Sequence, residues 1–201
     1  YESTSGSPVA RCADQLSEPY SLLAVAATAH CRSAPGGTDR AVNDVVVASA
    51  SLGRMIELEL AVGGEVLGRQ PCDGIICSTP SGSTAYNLSN GGPVLMWGLE
   101  AIAVTYVAAH SLHARPLVVP PDDDVIVWNR TAEVEAGVLV DGNRRATLGK
   151  AERAVIRLGA ERSLLATLPE VVDVYRVGTD QALIDKGFTV VATHVKDLAG
   201  S

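Results

Sequence analysis

From residue 21 onward the chain is built of short apolar runs that give way to Gly, Pro or Asp about every ten residues, a rhythm that reads as strands. "SLLAVAATAH" (21–30), "VNDVVVAS" (42–49), "MIELELAV" (55–62) and "GIICS" (74–78) come first. "AIAVTYVAA", "RPLVVP", "DVIVWN", "AGVLVDG", "AVIRLGA" and "SLLATLPE" follow. "SAPGGTD" and "GGE" read as turns between strands. Residues 55–62 alternate, with Ile56, Leu58 and Leu60 on one face and Glu57 and Glu59 on the other, which predicts a half-buried antiparallel strand. The expected fold class is mainly β, a sandwich or pair of packed sheets with one or two short helices. One helix is expected after Pro80, carrying Ala85, Tyr86 and Leu88. The final thirty residues change character, and "TDQALIDKGFTVVATHV" predicts a helix, a Gly turn and a strand.

A chain of 201 residues with 47% hydrophobic side chains suits one domain, or a domain with an appendage. Its formal charge of −7 excludes a broad electrostatic footprint for nucleic acid or anionic lipid, while leaving room for a local phosphate pocket. No apolar run reaches the length of a membrane span. The start, "YESTSGSPVA", has no basic leader, apolar stretch or Met, so the expectation is a chain that begins inside a longer product rather than with a signal peptide. Cys12, Cys31, Cys72 and Cys77 form no CxxC pair and read as reduced thiols of a cytoplasmic protein, with Cys72 and Cys77 filling space as small hydrophobes.

"DGIICSTPSGSTAYNLSNGGP" (73–93) carries the chemistry, at a point where a strand hands over to a helix. Gly82 admits close approach of a ligand, and free amides at the helix start favour an anion. Ser78, Thr79, Ser81, Ser83 and Thr84 offer hydroxyls to phosphate or ribose oxygens. Tyr86 suits stacking on a base, and Asp73 can accept from an amide or hydroxyl. The competing reading is purely structural: Ser and Thr cap a helix, and Gly91-Gly92-Pro93 stops it. Neither a Walker A loop nor a GxGxxG fingerprint is present.

The stretch resembles the NAD kinase family, whose C-terminal domain carries DGxxxSTPTGSTAYxxSxGGP. "AVNDVVV" (41–47), "LEAIAVTYVAAHSLHARPLVVP" (99–120) and "VLVDG" (138–142) resemble further family elements in the same order. The resemblance runs over residues 20–170. It implies phosphoryl transfer from ATP or polyphosphate, with Mg²⁺, to the adenosine-ribose 2′-hydroxyl of NAD, giving NADP. It implies an N-terminal α/β domain bearing GGDGT, a β-rich C-terminal NAD-binding domain, and a homo-oligomer whose sites are shared between subunits. Asn43 and Asp44 would face the adenine and ribose, and Asp73 the nicotinamide end across a subunit contact. Ser81, Thr84, Ala85, Tyr86 and Ser89 would line the dinucleotide pocket. Ser81 stands where Thr is commoner, and Asn87 where Ser is frequent. GGDGT is absent: "PGGTD" (35–39) is the nearest string, in an expected turn and in the wrong order. By the resemblance this chain alone should bind NAD weakly and not phosphorylate it.

The domain expectation is an unassigned segment at 1–20, the NAD-binding domain at 21–170 and an extension at 171–201 that either docks on the missing α/β domain or is private to this chain. Two rival readings remain. One is a non-catalytic nucleotide-sensing or assembly module, supported by the missing GGDGT. The other is a relative of the lipid kinases, which the dinucleotide motifs and the single Phe and two Met disfavour. His110 and His113 read as capping or polar interior residues, "PDDDV" (121–125) as a solvated turn, and Arg144 and Arg145 as turn charges, so no metal site is expected. Trp97 and Trp128 read as core or interface residues. A strand-rich domain without its partner is expected to self-associate.

Overall fold

In the computed structural model the described residues are 20–30, 35–111 and 114–165. They form two six-stranded antiparallel sheets, the pair of packed sheets that the strand rhythm predicts. The strands are β1 (Tyr20–His30), β2 (Pro35–Ala41), β3 (Asp44–Ser49), β4 (Ile56–Val62), β5 (Glu65–Cys72), β6 (Gly74–Ser78), β7 (Ile102–Val107), β8 (Leu117–Val119), β9 (Val125–Asn129), β10 (Ala136–Val140), β11 (Asn143–Leu148) and β12 (Arg153–Leu165). The first sheet runs β2-β1-β12-β9-β4-β5, and the second runs β11-β10-β3-β6-β7-β8. A 3-10 turn (Gly82–Thr84) and one turn of helix, α1 (Tyr86–Ser89), follow β6.

The core lies between the sheets. Ile56, Leu58 and Leu60 of β4 face Val45, Val47 and Ile75 of the second sheet within one apolar cluster. Each such branched side chain, fully buried, contributes about 2 kcal/mol of transfer free energy. Strand β6 is buried at every position, which suits its uninterrupted apolar run. A second, smaller cluster of Leu95, Ala101 and Ala103, with Leu99 against it, sits beside the helical segment.

Several expectations change. "SAPGGTD" supplies an edge strand: Pro35–Ala41 pairs with β1 from His30↔Pro35 to Val25↔Ala41. Pro is tolerated at the first position of such a strand, where no ladder donor is required. Strand β5 has exposed, polar and Gly-containing positions, and β11 exposes Asn143, Arg144 and Arg145; both outer strands therefore lack the apolar signature of a strand. "AVIRLGA" and "SLLATLPE" begin within one continuous strand, β12. Leu158 pairs with Val25 and Arg162 with Leu23, so the stretch around Gly159 is a register shift inside a strand. Glu59 is buried on the supposedly open face of β4, because Arg69 Nε at 2.7 Å and Arg130 Nη2 at 2.5 Å neutralise its carboxylate. Trp97 is 38% exposed, and Trp128 is half-buried beneath the Arg130 guanidinium, 5.4 Å from the ring centre. The helix–turn–strand expected at the C-terminus lies outside the described residues.

Candidate binding site at one end of the second sheet

Strand β3 runs antiparallel to both β6 and β10, with Asp44 opposite Ser78 and Val45 opposite Val140. The start of β3 therefore meets the ends of its two neighbours. Three segments distant in sequence converge there: Val42–Asp44, the Thr79–Ser83 passage and the Asp141-Gly142 turn.

Hydrogen bonds fasten them. The Asp141 carboxylate accepts from the Val42 and Asn43 amides at 2.8 Å and from the Asp44 amide at 3.2 Å. The Asp141 amide donates back to the Asp44 carbonyl at 3.0 Å. From the other side, Thr79 Oγ1 donates to the Val42 carbonyl at 2.6 Å, and the Thr79 amide donates to the Asn43 carbonyl at 2.9 Å. Gly82 packs directly on Asn43, where a Cβ would run into the Asn43 carbonyl. Its role is contact between two loops of the protein, in place of the ligand approach expected from the sequence.

The hydroxyl-rich turn divides into an inner and an outer set. Thr79 Oγ1 also accepts the Gly82 amide at 2.9 Å, and the Thr79 carbonyl accepts the Ser83 amide at 2.8 Å. These two amides are thus occupied, contrary to the expectation of free donors. Ser83 Oγ donates to the Pro80 carbonyl at 2.6 Å and accepts the Leu95 amide at 2.9 Å. Ser78 Oγ is buried with no hydrogen-bond partner among the described residues. Asn87 is fully buried: its amide donates to the carbonyls of Ser83 at 3.0 Å and Pro93 at 2.9 Å, and its Oδ1 accepts from Thr105 Oγ1 at 2.7 Å. A Cβ on Gly92 would collide with that Asn87 oxygen, so the Gly-Gly pair does more than stop a helix. Thr79, Ser83 and Asn87 thus bond within the protein, although neither helical turn carries the side-chain cap that the competing reading expected.

The outer set remains available to a ligand. Thr84, Ala85 and Ser89 are exposed, Tyr86 is 45% exposed and Ser81 is half-buried. Thr84 Oγ1 donates to the Ser81 carbonyl at 3.1 Å and keeps acceptor capacity. Beside them, Asn43 is exposed and Asp44 is only 7% exposed. Burial, and then the Asp141 charge, push the Asp44 carboxyl above the ordinary aspartate range. Asp73 does not join this group. It precedes β6, at the far end of the strand from Ser78, about 16 Å away by strand rise. Its side chain is exposed.

Asp141 is the site residue that reading by residue type passes over, because its partners lie 97 to 99 positions away. Its Asp-Gly turn was the available signal. Arg144 and Arg145 lie on β11, and Arg145 faces Asp39 at 3.7 Å. Asp124 pairs with Arg157 at 2.7 Å. His110 is exposed, and His113 lies outside the described residues. Among the described residues no group of three His, Cys, Asp or Glu side chains is placed to hold a metal, and no helix is long and apolar enough to cross a membrane. Burial pushes the Cys72 and Cys77 thiols up to about 12, which suits packing and not reactivity. Cys12 and Cys31 lie outside the described residues.

Residues 42–168 match the model of the ATP-NAD kinase C-terminal domain. An NAD kinase of Gemmatimonas aurantiaca is 40% identical over 130 residues, which are 65% of this chain and 45% of that protein. An NAD kinase of Thermobifida fusca is 40% identical over 139 residues, 69% of this chain and 42% of the relative. Among solved structures, yeast NADH kinase complexed with NADH shares the fold, with a TM-score of 0.73 at 20% identity over 89% of this chain and 53% of that one. An NAD kinase from Archaeoglobus fulgidus in complex with ATP matches with a TM-score of 0.62 at 25% identity, over 76% of this chain and 57% of that one. The chain spans less than half the length of these two curated relatives.

Proposed function

The chain belongs to the ATP-NAD kinase C-terminal domain family, and on that premise we propose that it supplies the dinucleotide-binding part of an enzyme that phosphorylates NAD to NADP. The observation that carries the reading is convergence. Asn43, Asp44 and the outer residues Ser81, Thr84, Ala85, Tyr86 and Ser89 belong to segments fastened together at one sheet end. In this reading Asn43 and Asp44 face the adenine and its ribose, Tyr86 stacks or hydrogen-bonds there, and the small residues leave space for the pyrophosphate. Asp73, distant within one chain, meets the nicotinamide end of a dinucleotide held mainly by a second subunit, so the working form is a homo-oligomer.

Positioning is the part of phosphoryl transfer that these residues can perform. The remaining part needs charge stabilisation for the transferred group and a carboxylate near the attacking hydroxyl. Asp141 spends its oxygens on three backbone amides and Asp44 is buried, a donor set that does not fit Mg²⁺. The phosphoryl donor, ATP or polyphosphate, and its metal therefore belong with a GGDGT-bearing α/β domain, a motif that these 201 residues lack. In this reading residues 21–170 are the binding domain, 1–20 are unassigned and 171–201 are an extension. The setting is cytoplasmic, with no nucleic-acid or membrane partner. The missing GGDGT also favours a second reading, in which the same site senses a nucleotide without catalysis.

Calorimetric titration of the purified chain with NAD tests the proposal, with Tyr86→Ala in parallel. Saturable binding that weakens about tenfold in the variant supports the site. Equal binding by both proteins removes the 81–89 segment from the ligand's path, and no binding at millimolar NAD favours an assembly module over a dinucleotide site. NADP formation by these residues alone would overturn the division of labour.

A further inference from the structure

The turn between β10 and β11 is the part of the site for which the dinucleotide reading has no role. Asp141 nevertheless has the densest hydrogen bonding there. Its Oδ2 accepts from the Val42 amide, and its Oδ1 accepts from the amides of Asn43 and Asp44. Three consecutive N–H groups converging on one anion form a nest of the kind that binds phosphate, here filled by the protein's own carboxylate. The grip is returned by the bond from the Asp141 amide to the Asp44 carbonyl. Val140, one residue earlier, is paired with Val45, which locks the turn to the strand it serves. Asp141 also sits at φ +45°, a left-handed conformation uncommon outside Gly, and Asn143 Nδ2 braces its carbonyl at 3.1 Å. Backbone of that kind persists where surrounding contacts over-determine it.

The side-chain chemistry is specific. Asn offers one acceptor oxygen in place of two and would turn an N–H₂ toward a backbone N–H. Glu carries the charge one methylene further out. Both substitutions disturb the nest while leaving the strands alone.

We propose that Asp141 is the positioning residue of the Asn43–Asp44 element, holding amides 42–44 so that both side chains are presented to a bound dinucleotide. The ligand in this statement rests on the function proposed above; the grip on the backbone does not.

Two readouts on the full 201-residue chain separate the two. Amide hydrogen exchange is followed by NMR in wild type, Asp141→Asn and the control Asp124→Asn, which removes a surface ion pair away from the site. NAD affinity is measured on the same samples well below their melting temperatures. In Asp141→Asn, exchange at residues 42, 43 and 44 is expected to accelerate about tenfold or more while that of Ile75–Cys77 stays put. The dissociation constant for NAD rises about tenfold, as loss of charge-assisted hydrogen bonds implies. Asp124→Asn changes neither. Unchanged exchange at 42–44 overturns the proposal, and so does faster exchange with unchanged affinity. Should the wild type bind no NAD, the functional reading fails, and the grip stands or falls on the exchange data alone. If Asp141→Asn does not fold, Asp141→Glu is judged by the same two readouts.

Discussion

The two sheets treat their outer faces differently. The second sheet has the segment after β6 folded against it, with Leu95, Ala101 and Ala103 buried and with Ser83, Asn87 and Thr105 bonded beneath the surface. The first carries Glu57, Glu59, Arg69, Arg130 and Trp128 on its outer side, joined by ion pairs and a cation–π contact. Buried, fully satisfied polar networks fix geometry, whereas ion pairs with a partner as exposed as Arg69, at 55%, contribute less and yield to salt even though Glu59 itself is buried. The sheet that fastens its connecting loop with buried bonds is the one beside which the candidate residues other than Asp73 lie, Asp44 on β3 and Ser81 to Ser89 in the segment after β6.

Substitutions can break this contrast in order of size. Gly82→Ala should have the largest effect, about 3 kcal/mol or more of lost stability, because the new Cβ meets the Asn43 carbonyl and not a flexible side chain. Thermal denaturation measures it, and a neutral result would mean that the two loops do not pack as described. Asn87→Ala comes next, at about 2–3 kcal/mol, since the Thr105 hydroxyl and the Ser83 and Pro93 carbonyls lose their partner. Urea denaturation with an unchanged slope would verify that the loss lies in the folded state.

Asp44 and Glu59 sharpen the comparison through pH. The folded-state pKa of Asp44 is raised by burial and by Asp141, so its ionisation opposes folding at neutral pH, and the penalty is relieved as pH falls through that raised value. Asp44→Asn should therefore be more stable than the wild type at pH 7 and lose that advantage in acid, while binding NAD less well. Glu59 behaves in the opposite sense. Hydrogen bonds from Arg130 and Arg69 hold its carboxyl below the ordinary glutamate range. Its contribution is present above the unfolded-state pKa and disappears as pH falls through the folded one. Glu59→Gln should make the smallest change, a drop of about 2 °C in melting temperature at pH 7 that vanishes in acid or high salt. A larger effect than that of Asn87→Ala would reverse the contrast between the sheets.

How much was legible in the sequence follows the same physics. Buried strands such as β3, β4 and β6 announce themselves through Val, Ile and Leu, because burial selects those side chains. The edge and outer strands β2, β5 and β11 do not, since their ladder bonds are made by backbone and their side chains face water. In the site, the hydroxyls and the ring of Thr84, Tyr86 and Ser89 are visible in the sequence, and the fold leaves all three exposed. Thr79, Ser83 and Gly82 did not read as internal, because their partners Val42, Leu95 and Asn43 are distant in the chain. A hydroxyl's chemistry is visible in its letter; whether it is already spent depends on the fold.

The central claim is that a dinucleotide engages the braced end of the second sheet and ignores the first. Titrating the isotope-labelled chain with NAD and following every backbone amide tests it most directly. Saturable shifts are expected at Asn43, Asp44, Ser81 and Thr84–Ser89, with the strands β4, β5 and β9 silent. Shifts concentrated on β4, β5 and β9, or spread evenly over both sheets, would contradict it.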